Sequence, residues 1–76
     1  MLAPIQVRLA RTAIGLGIRE LAQQAGVAPS TIVRFESGKG GMQAATLDRV
    51  QATLEKGGVI FISPDASAGP GVRLRT

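Results

Sequence analysis

From the fourth residue on, apolar positions recur at helical spacing. Val7, Ala10 and Ile14 fall three and four apart, which predicts a first helix from Pro4 to about residue 14. Pro4 suits the first turn, where its missing N–H does no harm. "GLG", residues 15–17, ends the pattern. Gly17 then serves as N-cap of a second helix, and Glu20 sits where a capping glutamate reaches back. Leu21, Ala22 and Ala25 give that helix an apolar face, and Gly26 breaks it. Pro29 opens a third helix with Ile32 and Phe35 facing inward, stopping at about Ser37 with Gly38 as the C-terminal cap. Residues 45–56 make a fourth, with Leu47, Val50 and Leu54 at i, i+3 and i+7, closed by Gly57 and Gly58.

The period changes in the tail. "VIFI", residues 59–62, is β-branched and aromatic, a strand signal. Residues 63–70, "SPDASAGP", are turn formers, and "VRLR", residues 72–75, alternates apolar and basic. Strand side chains alternate between faces, so Val59 and Phe61 share one side and Ile60 and Ile62 the other. Only one side can cover the helices. If Val72 and Leu74 join it, an aliphatic pair is left exposed beside Arg73 and Arg75. A symmetric mate covering that pair and the strand edge makes a homodimer through Val59, Ile60, Phe61 and Ile62 the expectation. The fold class is mainly α: four helices over 1–58, then a two-stranded hairpin over 59–76 within the same compact domain.

Composition narrows the chemistry. A chain of 76 residues is too small to enclose a substrate pocket. It has no His, Cys or Tyr to act as a tuned base or nucleophile, and Asp48 and Glu55, two turns apart on the fourth helix, read as surface charges. The P-loop pattern fails because Gly38-Lys39 is followed by Gly40 and the required upstream glycine is Val33. The dinucleotide fingerprint fails at Gln43 and, in "GLGIRE", at Glu20. No enzyme activity, cofactor or metal site is expected. No apolar run is long enough to span a membrane, and the start lacks a signal-peptide pattern, so a cytoplasmic location is expected. Net charge is +4, and residues 1–40 carry five basic against two acidic side chains. Such a balance suits a nucleic-acid partner.

The detailed pattern around the second and third helices is sharper. "IRELAQQAGVAPSTIVRFESGK" resembles the Xre/Cro-type helix-turn-helix family of phage and bacterial repressors. The resemblance lies in Glu20-Leu21-Ala22, Gly26-Val27, Ser30-Thr31-Ile32 and Glu36-Ser37-Gly38-Lys39, and it covers roughly residues 4–56. Each position has a physical reason. Ala22 is small because the third helix crosses close to it, Gly26 makes the turn, and Leu21, Val27, Ile32 and Phe35 lock the helices together.

The resemblance implies a four-helix domain of repressor type whose third helix, about 29–37, enters the major groove of double-stranded DNA. It implies base contacts by Ala28, Pro29, Ser30 and Arg34, the last able to bond guanine O6 and N7 together. Thr31 and Lys39 fall near the phosphate backbone, and Arg11 and Glu36 form a salt bridge that also aims Arg11 near a phosphate. Three positions depart from the family. Gly17 and Ile18 stand where a capping Ser or Thr and a phosphate-contacting Gln are usual, which passes that contact to Arg19 or Gln23. Ala28 is an N-cap that cannot bond the free N–H groups. Ala28 and Pro29 offer a base only apolar contact. The expected function is a sequence-specific DNA-binding transcriptional regulator, nucleoid-associated, acting without cofactor and more often repressing than activating. The alternative is a protein-interaction module, such as an antitoxin or anti-activator, using the same fold and the C-terminal strand to bind another protein.

Overall fold

The computed structural model describes residues 2–76. Helices α1 (Pro4–Ala13), α2 (Ile18–Ala25), α3 (Pro29–Glu36) and α4 (Ala44–Lys56) lead into an antiparallel hairpin of β1 (Val59–Ile62) and β2 (Gly71–Leu74). The ends shift slightly from the sequence expectation. Ile14 caps α1 instead of extending it, and α4 starts one residue earlier, at Ala44. β2 runs over 71–74 and not 72–75, because β1 pairs from Val59↔Leu74 to Ile62↔Gly71. Arg75 lies outside the strand but still donates its N–H to the Gly58 carbonyl at 2.9 Å.

Two helix starts are closed by side chains reaching back. The Gly17 N–H donates to Glu20 Oε1 at 2.9 Å, and the Ala3 N–H to Gln6 Oε1 at 2.8 Å. Gly26 ends α2 in the left-handed region, at φ 72°, where a side chain is strained. The chain folds back there, and the Val27 N–H reaches the Ala22 carbonyl at 2.9 Å. This turn lets α3 pack across α2, while α4 closes the other flank of α2.

Leu21, Ile32, Leu54, Val7, Val50 and Val59 are the largest side chains removed from water altogether. They come from all four helices and from β1, so helices and hairpin share one core. Truncating Leu21, Ile32 or Leu54 to alanine costs about 2–5 kcal/mol where the site cannot collapse.

Cross-strand partners in an antiparallel pair lie on one face. Val59, Phe61 and Val72 therefore face the helices and Ile60, Ile62 and Arg73 face away; Leu74 shares the side of Val59 but lies at the end of the strand, 48% exposed. Val59 is 1% exposed and belongs to its own subunit's core; Phe61 is half-buried against that core. This corrects the assignment of the Val59 side chain to a dimer interface, since it is consumed within its own chain, and Phe61 is partly covered in the same way. Ile60 and Ile62 stay exposed.

One buried side chain joins the two ends of the fold. Gln6, 3% exposed, donates from Nε2 to the carbonyls of Ile62 at 2.9 Å and Gly71 at 3.1 Å. With Oε1 on the Ala3 N–H, both polar atoms of its amide are engaged. At the hairpin tip, Asp65 Oδ1 accepts from the Ser67 and Ala68 N–H groups and the Ser67 hydroxyl, at 2.8–3.0 Å. These bonds, the Ser67 N–H first, hold the Asp65 carboxyl below the usual aspartate range.

Candidate nucleic-acid interface

α3 is divided into two faces by its sequence. Ile32 and Phe35 are buried, bolting the helix to the core. Pro29, Ser30, Val33 and Arg34 are exposed on the opposite side, as is Ala28 at the N-cap, and Thr31 is half-buried between the faces. The hydroxyls that bond within the protein belong to Ser37, Thr53 and Ser67. Among the described residues, those of Ser30 and Thr31 are left unengaged. Ala28 makes no side-chain cap; Pro29 has no N–H and the Thr31 N–H donates to the Ala28 carbonyl at 3.0 Å, so the Ser30 N–H is the first-turn donor that keeps its capacity for an outside acceptor.

The far end of α3 is fixed by an ion pair. Arg11 Nε donates to Glu36 Oε2 and Nη2 to Oε1, both at 2.9 Å, and Nη1 reaches the Leu16 carbonyl at 3.2 Å. The side chains are 16% and 7% exposed. The Glu36 carboxylate bonded to its fork raises the Arg11 pKa above its ordinary value, against the opposing cost of burial. A parallel two-bond fork is among the stronger and more directional polar contacts. It ties the last residue of α3 to α1 and to the α1–α2 connection, so the exposed face of α3 is held at a set angle. Three of the five Arg11 donors are spent in this way, and two remain.

Beyond Glu36 the chain turns sharply. Gly38 lies at φ 71°, and the Gly38 and Lys39 N–H groups bond back to the Phe35 and Arg34 carbonyls at 3.1 and 3.0 Å. Residues 40–41 thereby run back beside α3. Ser30, Thr31, Arg34, Gly40 and Gly41 line a shallow concavity of about 340 Å³. A second, of about 410 Å³, lies next to it between the α2–α3 turn and the start of α4, lined among others by Ala28, Thr31, Gln43, Thr46 and Arg49.

Of the residues expected at the site, Ala28, Ser30, Thr31 and Arg34 thus border two adjoining hollows. Arg19 and Gln23 stand one turn apart on the exposed side of α2 and line neither; exposed Lys39 lines neither. Among the described residues the Arg11–Glu36 pair is the one salt bridge, which leaves Arg19, Arg34, Lys39 and Arg49 without a carboxylate partner. Two residues were missed by sequence reasoning. Val33 is 45% exposed on the outer face of α3, where helical spacing from Pro29 and Ser30 would have put it. Arg49 needed the packing of α4 against the turn, for which no local signal exists.

Among the described residues no three metal-ligating side chains cluster, and no helix is long and apolar enough to cross a membrane. The comparison with curated proteins found no match. A family model described as helix-turn-helix matches residues 7–58, the span from the middle of α1 to the start of the hairpin. With α2, the Gly26 turn and α3 packed as described, the chain belongs to the Xre/Cro-like helix-turn-helix family of DNA-binding regulators.

Proposed function

We propose that this protein is a sequence-specific transcriptional regulator that reads duplex DNA with α3 in the major groove. The observation that carries this is the two-faced α3, with Ile32 and Phe35 locked inside while Ser30, Val33 and Arg34 face outward with no internal partner. Arg34 supplies a fork for guanine O6 and N7, and Ala28, Pro29 and Val33 offer apolar contact for a thymine methyl. Ser30 hydrogen-bonds a base edge. Thr31, Lys39, Arg19, Gln23 and Arg49 meet phosphates, which fix register without reading sequence. Arg11 holds α3 in place from within. Repression by occupancy needs nothing more than this surface.

The partner copy is reached through the hairpin. Ile60 and Ile62 are 43% and 39% exposed, and the Arg75–Gly58 bond sets the ladder so that the main-chain groups of Val59 and Phe61 turn away from β2. Pairing two β1 edges about a two-fold axis puts four isoleucines side by side. The Arg73 side chains then stand three strand spacings apart, ~14 Å, beyond the ~8 Å screening length at physiological salt. Such a dimer presents its two α3 helices about one DNA turn apart, roughly 34 Å, to a near-palindromic site.

The test is selection of duplexes from a randomised library, followed by binding at several salt concentrations. Each phosphate neutralised contributes a slope of about −0.9 in log K against log salt. Arg34→Ala is expected to cost about 1–3 kcal/mol and relax one base pair, whereas Lys39→Ala weakens all sequences alike. No enrichment, a salt-independent affinity, or equal loss on selected and scrambled sites for Arg34→Ala would each overturn the proposal.

A further inference from the structure

Arg34 has no ion-pair partner among the described residues, yet its guanidinium is not unsupported. A Cβ placed on Gly40 would come 3.2 Å from both Nε and Nη2 of Arg34 and 3.6 Å from Cζ. Three atoms of the guanidinium group therefore press on the space that Gly40 leaves empty. The loop carrying Gly40 is itself pinned to the end of α3 by the main-chain bonds from Gly38 and Lys39 to Phe35 and Arg34, so the path of the seat beside α3 is set by backbone. Gly41, the next residue, also lines this hollow, but a Cβ there meets nothing within 4 Å. Neither glycine has a positive φ, so both accept alanine without backbone strain.

We infer that Gly40 is a positioning residue for base recognition: its bare Cα seats the Arg34 guanidinium and sets the direction from which that fork meets a base edge. The glycine run is thereby divided by role, Gly38 turning the chain and Gly40 making room for the arginine. A methyl group at position 40 moves the guanidinium by a few tenths of an ångström or turns it off the loop. Bidentate recognition is intolerant of this, because both bonds must align at once. The inference rests on Arg34 reading a base as proposed above.

The experiment compares Gly40→Ala, Gly41→Ala, Arg34→Ala and the double variant Arg34→Ala/Gly40→Ala on the duplex that the unmodified protein selects and on its single-base-pair variants. Gly40→Ala is expected to lower discrimination about three- to tenfold, the size of one weakened hydrogen bond, at the same base pair that Arg34→Ala relaxes. Gly41→Ala should leave it unchanged, and the double variant should match Arg34→Ala. In the free protein, the Arg34 Nε–H resonance should shift in Gly40→Ala and not in Gly41→Ala, with melting temperatures showing that both fold. Undiminished discrimination in Gly40→Ala, equal losses in both glycine variants, an additional loss in the double variant, or an unmoved Nε–H resonance would overturn the inference. If Arg34→Ala alters no base preference, the base-reading role fails and the inference falls with it. A shifted Nε–H resonance in that case shows that the fault lies in the DNA assignment and not in the seat.

Discussion

Replacing either member of the Arg11–Glu36 pair is expected to destabilise the protein unequally. In Arg11→Ala, a carboxylate whose side chain is 7% exposed loses both of its bonds. Breaking a buried pair from one side costs about 3–5 kcal/mol, and the opening on the arginine side lowers this to about 2–4. In Glu36→Ala, the arginine left behind is more exposed, at 16%, and keeps its bond to the Leu16 carbonyl. A smaller cost of about 1–3 kcal/mol follows. With both gone, no orphaned charge remains, so the double variant should cost about 1–2 kcal/mol less than the sum of the singles. Denaturant unfolding followed by circular dichroism yields all four free energies. For a domain of this size each kcal/mol corresponds to about 4–8 °C in melting temperature, which gives a second measure. Additivity within about 0.5 kcal/mol would show that the two do not act as a pair. A larger loss in Glu36→Ala than in Arg11→Ala would refute the burial asymmetry from which the order was derived.

Gln6→Ala removes three hydrogen bonds and leaves a void, for a loss of about 2–4 kcal/mol. Hydrogen exchange should show the hairpin amides losing more protection than the helices, and uniform loss would contradict the clamp. The Asp65 carboxyl should titrate below the ordinary ~3.9. Because its pKa is lowered by folding, its stabilising effect is complete above the ordinary aspartate range and fades as pH falls through the lowered value; an NMR midpoint at or above the ordinary value would refute the turn geometry. Ile60→Lys on the outer face should leave the fold intact and give a monomer in sedimentation equilibrium where the unmodified chain dimerises. Deleting the tail is a poorer test, since Val59 would leave the core with it. A monomeric unmodified chain, or a dimer that survives the substitution, would remove β1 from this role.

Much of the fold can be read along the chain because its signals are local. Pro4, Gly17 with Glu20, Gly26, Pro29 and Gly38 each mark an element end by their own backbone chemistry. The inward faces of the helices follow from spacing alone. The hairpin was legible as two strands, but not which face of "VIFI" meets the helices, because alternation is symmetric until something packs on one side. Val59 was therefore counted as interface when it is core. Gln6 was illegible for a stronger reason: a glutamine in a first helix looks like surface, and its partners lie 56 and 65 positions away. At the candidate site, the Arg11–Glu36 partnership and the exposed set on α3 came from resemblance, while the seat under Arg34 depends on a loop path that no spacing encodes.

The Gln6 clamp also bears on how the domain is made. Translation delivers α1 first, and the side chain that must be satisfied in its interior finds the Ile62 and Gly71 carbonyls only after the rest of the domain has been synthesised. Until then its amide needs water, which keeps the Gln6 side of α1 open while α2, α3 and α4 assemble by short-range contacts. The nascent chain can thus form α3 before α1 is sealed. Closure of the hairpin over Gln6 is the late event, paid for by the entropy of a loop nearly as long as the domain. The ladder of the hairpin is completed at that same step, so an unpaired strand edge is exposed only once the helices are in place.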